Sequence, residues 1–278
     1  MNIIKSEKVK LKAKRAFIKK GTCSRTFFYL LNREFGFPKE DEEIALDPLA
    51  GGILQQGYQC GMLWGASMAA GAEAFRKYGN QSQTIDISIK ATQHIMESFK
   101  SRAKSIECED ITNCDFKSKF GLLKFFLYGK PLTCLKLAGK WAPEAIKAAN
   151  EGLAINQSNL HQHSISCASE LLKKMSGNDE EIYMVAGFAG GLGLSGNGCG
   201  ALAAAIWKKG LELNKKEKRK PSFPDPEMEK ILNVFYKVSD YKIECNKICG
   251  QQFKSIDDHT QFIKNGGCQK LIDVLAQS

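Results

Sequence analysis

Apolar and polar positions along this chain follow a helical rhythm almost throughout, and strand-like alternation is scarce. The pattern predicts helices at 25–35, 61–78, 85–104, 142–153, 168–175, 201–213, 226–238 and 267–276. Breakers fall between them: Gly36 with Pro38, Gly51 with Gly52, Gly129 with Pro131, Gly177 with Asn178, and Pro221, Pro224 and Pro226. Alanine and glycine crowd 66–74 and 201–205, where small side chains let helix backbones approach closely. The expected fold is all-α.

The pattern is also duplicated. Residues 50–77 recur as 189–216 at a constant offset of 139: Ala50, Gly51 and Gly52 match Ala189, Gly190 and Gly191, and Gly57, Cys60 and Gly61 match Gly196, Cys199 and Gly200. Leu63, Ala66, Gly71, Glu73 and Lys77 match Leu202, Ala205, Gly210, Glu212 and Lys216 at the same offset. A chain of 278 residues is near the size at which one core stops growing. Two tandem helical-bundle domains, 1–154 and 155–278, each with its own core, are therefore expected, joined near 152–157.

Hydrophobic residues at 43% and charged residues at 25% suit a soluble globular protein. No apolar run approaches the roughly 20 residues of a membrane span, and 1–20 is lysine-studded without the apolar stretch of a signal peptide. A cytoplasmic location is expected. Structural disulfides are rare there, so a cysteine-rich chain points to metal binding or catalysis. The net charge is +10, and Lys5, Lys8, Lys10, Lys12, Lys14, Arg15, Lys19 and Lys20 crowd one end. No basic stripe is interleaved with stacking aromatics, and helix-turn-helix and zinc-finger spacings are missing, so nucleic acid is not the expected partner. A basic surface would instead steer an acidic redox partner. The sequence leaves the oligomeric state open.

Eight of the ten cysteines pair across the duplication with matching surroundings. Cys23 and Cys167 each lead a helix. Cys60 and Cys199 follow glycine-rich segments and stand at helix N-caps, where free N–H groups and the helix dipole stabilise a thiolate for nucleophilic attack or metal ligation. Cys108 and Cys245 share Ile-Glu-Cys-x-x-Ile, and Cys134 and Cys268 share Cys-x-Lys-Leu. Four cysteines converging in each bundle would supply the Cys₄ set of an iron–sulfur cluster or a structural zinc. Gaps of tens of residues disfavour zinc, leaving a cluster buried between helices or pairs of disulfide-forming thiols. Gly51, Gly52, Gly61, Gly190, Gly191 and Gly200 would let backbone approach a bulky anionic group, or would simply end helices and permit tight packing.

Cys114 and Cys249 do not align with each other and are expected to be small inert hydrophobes rather than extra ligands or resolving thiols. His161 and His163 are expected at a solvated helix start, His259 carries no support as a ligand, and Glu107 and Glu244 read as surface charges. No Ser-His-Asp set, P-loop or dinucleotide fingerprint stands out.

The order Cys23, then Cys60-Gly61-Met62-Leu63-Trp64-Gly65, then Cys108, then Cys134 resembles the C_GCAxxG_C_C family of redox-active proteins. The second half resembles it as well, with Cys199-Gly200-Ala201-Leu202-Ala203-Ala204 flanked by Cys167, Cys245 and Cys268. Met62 replaces the motif's alanine and Ala204 its last glycine; neither removes a thiol. The resemblance implies a redox role. The leading expectation is an iron–sulfur cluster, of the 2Fe-2S type, in each half, held by Cys23, Cys60, Cys108 and Cys134 and by Cys167, Cys199, Cys245 and Cys268, for electron transfer. One alternative is metal-free thiol–disulfide chemistry with Cys60 and Cys199 as attacking thiols. Another is a non-catalytic helical scaffold.

Overall fold

A computed structural model describes residues 3–154, 163–220 and 225–278. These form fifteen α-helices and, among the described residues, no strand. The first half runs α1 (Ile3–Lys20), α2 (Cys23–Phe35), α3 (Glu40–Ile44), α4 (Gly61–Tyr78), α5 (Ser82–Ala103), α6 (Cys108–Thr112), α7 (Lys119–Leu127) and α8 (Lys130–Leu153). The second runs α9 (Cys167–Lys174), α10 (Asp179–Met184), α11 (Gly200–Glu217), α12 (Pro226–Val238), α13 (Cys245–Cys249), α14 (Ile256–Lys264) and α15 (Gln269–Ala276). From α2 onward the elements repeat in order, so the all-α, tandem-repeat expectation holds.

Helix ends follow local chemistry. Gly36 closes α2 in the left-handed region, and Asn178 with Glu181 forms a capping box on α10. The largest departure from expectation is α8, which begins at Lys130 rather than near 142. Pro131 lies in its first turn, where the missing N–H has no helical partner to lose, and Pro143 is carried inside the helix. Helices α1, α3, α6, α7, α10, α13 and α14 were not among those the pattern predicts; most are short.

Small residues set the close approaches. A Cβ on Gly65 would lie 2.0 Å from the Ser24 carbonyl oxygen, so α4 crosses α2 backbone to backbone, and one on Gly152 would lie 2.4 Å from Ala91 Cα where α8 meets α5. In α4 every residue from 61 to 74 is buried, as suits a helix enclosed on all sides.

The expectation of two separate cores gives way to one continuous apolar core drawn from both halves. A Cβ on Gly71 of α4 would lie 2.5 Å from the Met184 carbonyl oxygen, Trp64 meets Phe188 edge to face at 4.8 Å, and Trp207 Nε1–H donates to the Glu42 carbonyl. Small side chains on α4 and apolar surface on both halves favour burying the halves against each other over exposing two faces to water. Half of the expected join, residues 155–157, lies outside the described residues, as do Pro221 and Pro224.

Candidate functional site

Two loop-and-bridge frameworks, one per half, bring the cysteines together. Residues 47–57 turn back on themselves through Leu54 N–H to the Pro48 carbonyl and Gly57 N–H to the Gly51 carbonyl; in the second half Gly193 N–H donates to Gly187 and Gly196 N–H to Gly190. A Cβ on Gly52 would lie 2.3 Å from the Tyr58 nitrogen, and one on Gly191 would lie 2.9 Å from Cys245 Cβ. Gly51, Gly52, Gly190 and Gly191 have positive φ, as do Ile53, Leu54, Gln55, Leu192 and Leu194 beside them, and at Gly52 and Gly191 the close backbone excludes a side chain. Each turn leads into an isolated antiparallel bridge, Gln59 to Glu107 and Gly198 to Glu244. Cys60 N–H donates to Ile106 and Cys108 N–H to Tyr58; Cys199 N–H donates to Ile243 and Cys245 N–H to Asn197. The second and third cysteines of each half are thus laced together by backbone.

Around these pairs stand the remaining sulfurs, and all ten cysteines are free. In the first half Cys23, Cys60, Cys108 and Cys134 lie within one another's electrostatic reach, with Cys114 beside Cys108 and Cys134. In the second half Cys167, Cys199, Cys245, Cys249 and Cys268 line a single enclosed pocket with Phe253, His259 and Leu271. Cys249 Sγ lies 3.8 Å from Cys245 Sγ and 3.5 Å from Cys268 Sγ. The unaligned cysteines are therefore members of the groups, not isolated core residues. Cys249 follows Cys245 by four residues on α13, which puts both sulfurs on one helix face.

The thiols differ in acidity from expectation. Cys60 and Cys199 are N-caps as predicted, yet both thiols are pushed up. Cys60 gives its S–H to Cys23 and is buried; Cys199 is raised by burial and then by Cys167. Burial outweighs the helix N-terminus. The lowered thiol is Cys23, brought to about 7 by the Cys60 S–H, against burial, with help from the backbone N–H groups of Gly51, Ser24 and Cys23 itself. Its sulfur fills the space where a Cβ on Gly61 would stand, 2.6 Å away. Cys167, the counterpart, has the Gly190 N–H but no thiol donor, and burial holds it up at about 12.

Burial likewise raises Cys108, and Cys134 to about 12. Cys268 and Cys249 are raised as well, each first by a sulfur–sulfur hydrogen bond, Cys268 by that with Cys249 and Cys249 by that with Cys245, with burial adding to both. The bond from Cys249 pulls Cys245 down, but burial and the fields of Cys167, Cys199 and Cys268 leave it raised.

Two further residues belong to this region. His259 Nδ1 lies 3.1 Å from the Ile165 carbonyl oxygen; a carbonyl only accepts, so Nδ1 carries the proton and the neutral ring keeps a bare Nε2. Burial lowers its pKa to about 4. No neighbouring residue marks this histidine as a ligand, and the structure places it on the pocket wall. Glu107, expected at the surface, is half-buried at the seam between the halves, raised to about 7 by burial, then by Asp110 and Glu244. His163 is exposed, and His161 lies outside the described residues.

Among the described residues, no three His, Cys, Asp or Glu side chains are arranged to hold a metal ion. The second-half pocket has space of only about 10 Å³, room for roughly one water. The sulfurs are packed side by side as thiols. No helix among the described residues is long and apolar enough to cross a membrane. The model of a family described as "Putative redox-active protein (C_GCAxxG_C_C)" matches the chain twice, over residues 22–144 and 163–278. No curated protein and no solved structure matches it.

Proposed function

This chain belongs to the C_GCAxxG_C_C family of redox-active proteins, and we propose that each half is a redox centre whose cysteines hold an iron–sulfur cluster, of the two-iron type, for single-electron exchange with a partner protein. The observation that carries this reading is the gathering of ten thiols into two groups of five, in surroundings that oppose ionisation of most of them. Thiols that resist ionisation are poor free nucleophiles, but a soft metal displaces their protons.

The donors are of the kind such a group uses, and the second pocket, with space of about 10 Å³, would have to open as its sulfurs part to admit it. Thiolates are soft ligands, and two bonds of about 2.3 Å at a tetrahedral angle place their sulfurs about 3.8 Å apart. Cys245 and Cys249 stand at 3.8 Å and Cys249 and Cys268 at 3.5 Å. Cys23, Cys60, Cys108 and Cys134 would hold the group in one half; in the other, Cys249, the sulfur that stands at this spacing from both Cys245 and Cys268, would join Cys167, Cys199, Cys245 and Cys268 as a donor, with Cys114 as the fifth sulfur of the first half. When bound, the cluster would supply reversible one-electron storage. Gly51 and Gly190 direct backbone N–H groups toward Cys23 and Cys167, which draws charge from those sulfurs, and Phe253 and Leu271 keep water from the second group.

Anaerobic purification, followed by iron and acid-labile sulfide analysis and visible absorption, tests the reading. Iron and sulfide in equal amounts with charge-transfer bands are expected, and about half should be lost in Cys108→Ser. A colourless protein that takes up no iron under reconstitution sinks it.

A second reading is favoured by one specific observation, the lowered Cys23 thiol beside Cys60. As a thiolate, Cys23 attacks one sulfur of a disulfide substrate, forming a mixed disulfide and releasing the other sulfur as a thiolate that takes up a proton. Cys60 then loses its proton and attacks Cys23 Sγ, expelling the second substrate sulfur. The protein ends with a Cys23–Cys60 disulfide and the substrate with two thiols, a two-electron exchange. The attacking and resolving parts are then the reverse of the sequence expectation for Cys60. Mass mapping after treatment with an oxidised dithiol compound separates the two readings.

A further inference from the structure

The duplication provides a control for α7, because α14 stands in the same place in the second half. Ser118 and Ser255 cap the two helices through their hydroxyls. Phe116 packs on Phe125 with centroids 5.1 Å apart, and Phe253 on Phe262 at 5.2 Å. The inward side is conserved between the copies; the outward side is not. Phe120, Leu127 and Tyr128 are 77%, 72% and 70% exposed, whereas Asp257, Lys264 and Asn265, at an offset of 137, put polar groups into water.

Leu123 and Phe126 are exposed too, at 53% and 64%. Their counterparts Thr260 and Ile263 are shielded. The chain entering Cys167 lies over α14, with Ile165 N–H donating to Thr260 Oγ1 and His259 Nδ1–H donating to the Ile165 carbonyl. In the first half the chain entering Cys23 comes from α1, with Lys20 paired to Glu43 at 2.5 Å, and gives α7 no such cover. At the three positions left uncovered in both halves the copy carries polar residues, so Phe120, Leu127 and Tyr128 on α7 answer to something other than the core.

Charge indicates what that is. Between 116 and 143 there are six lysines and no acidic residue. Lys117 and Lys136 are exposed, and Leu132 extends the apolar surface into the first turn of α8 at 58% exposure. Six lysines without an acidic residue complement a negatively charged surface, and the exposed Phe, Leu and Tyr beside them suit an anionic bilayer, which takes apolar side chains in beneath its charged headgroups.

We propose that α7, with the first turn of α8, is a peripheral anchor for an anionic phospholipid bilayer. It holds the first thiol group, whose Cys134 follows Leu132 by two residues, at the membrane surface, while α14, polar on its outer side, gives the second no such anchor.

The test is co-sedimentation of the full chain with large vesicles of phosphatidylcholine and phosphatidylglycerol at 3:1, against pure phosphatidylcholine. Binding to the anionic vesicles only is expected. The triple variant Phe120→Asp, Leu127→Lys, Tyr128→Asn takes the residues of the second half and leaves the net charge unchanged; bound protein should fall roughly tenfold or more while helical circular dichroism stays the same. Leu127→Trp, a milder change, should give emission that shifts to the blue when anionic vesicles are added. No wild-type binding, equal binding by the triple variant, an unshifted Trp emission, or a lipid-free dimer that the triple variant abolishes would each overturn the proposal, the last by assigning α7 to a second copy of the chain.

Discussion

The first and second thiol groups stand on the same backbone and differ in which sulfurs touch. In the first, Cys60 serves Cys23, whose sulfur presses on Gly61; in the second, Cys199 and Cys167 are not joined this way, and the pairing has moved to Cys249 with Cys245 and Cys268. Most of the backbone bonds match, from Cys60 N–H to Ile106 and Cys199 N–H to Ile243 through each framework, although Tyr58 N–H donates to Gly52 and its counterpart Asn197 N–H turns to Ser195 Oγ. Similar scaffolds thus carry unequal electronics. The difference arises from sequence offsets of a few residues: Cys249 shares a helix turn with Cys245, while Cys114 lies six residues past Cys108, beyond the left-handed Asn113 that ends α6. Two centres built this way should not have the same reduction potential or thiol reactivity.

The largest expected break in the symmetry comes from matched glycine substitutions. In Gly200→Ala the new Cβ would lie 1.8 Å from the Phe188 carbonyl oxygen, a backbone atom with nowhere to go; in Gly61→Ala the nearest atom is Cys23 Sγ at 2.6 Å, a side chain that can turn away. Gly200→Ala should cost about 3 kcal/mol or more of stability, and Gly61→Ala clearly less, while moving the Cys23 thiol. Urea midpoints for the two variants decide this, and equal losses would mean that the sulfur is held as rigidly as backbone.

Next in size is a pH effect confined to the second half. His259 titrates near 4 in the native protein because it is buried, against about 6.5 when unfolded. As pH falls below 6.5 the unfolded chain takes up a proton that the native chain refuses, so stability drops until about 4, by roughly 3 kcal/mol in all. His259→Leu, which installs the residue type that the first half has at position 122, removes this slope while losing the Ile165 hydrogen bond. Urea titrations at pH 7, 5.5 and 4.5 on both proteins give the difference; parallel curves would show that the ring is protonated in the native state as well.

The thiols supply a third contrast. In reduced, metal-free protein the alkylation rate of Cys23 should rise with pH through about 7, and that of Cys167 only far above it, toward about 12. At pH 7.5 Cys23 should label roughly a hundredfold faster. Cys60→Ala removes the S–H donor and should carry the Cys23 profile upward. A profile that stays put would place the cause in the Gly51 and Ser24 N–H groups instead.

Local chemistry made the duplication, the long helices and the eight paired cysteines legible, because each leaves a mark on neighbouring residues: the Cys-x-Lys-Leu and Ile-Glu-Cys contexts, the glycine pairs, the alanine-rich stretches. What escaped was set by contacts distant in sequence. Nothing near Cys249 announces Cys268, nineteen residues away, and nothing near His259 announces Ile165. Thiolate stabilisation at Cys60 was inferred from its helix N-terminus, a local property, but what overrides it, the hydrogen bond with Cys23 and then burial, comes from a distant cysteine on α2 and from both halves closing on α4. The merging of two expected cores into one has the same origin, since Gly71 and Trp64 look like features of a single bundle until the second half packs on them.

The smallest predicted effect concerns the seam between the two groups. Tyr58, two residues before Cys60, and Tyr236 of α12 share a hydrogen bond between their hydroxyls at 2.9 Å, and Tyr236 stacks on Tyr241. Burial, then the bond to Tyr236, raises the Tyr58 hydroxyl, with Glu244 and Glu107 adding to it, so it remains protonated throughout the physiological range. Tyr58→Phe leaves one hydroxyl without its partner and should lower stability by about 1 kcal/mol; Tyr236→Phe should do the same, and the double variant should lose less than the sum, because the bond is broken only once. The shape of the transition matters more than its size. With a continuous core, each variant should shift a single unfolding curve followed by both helical signal and tryptophan emission. A curve that splits in two when this tie is cut would show that the halves hold their own stability and that the hydroxyl pair, rather than the shared core, had made them unfold together.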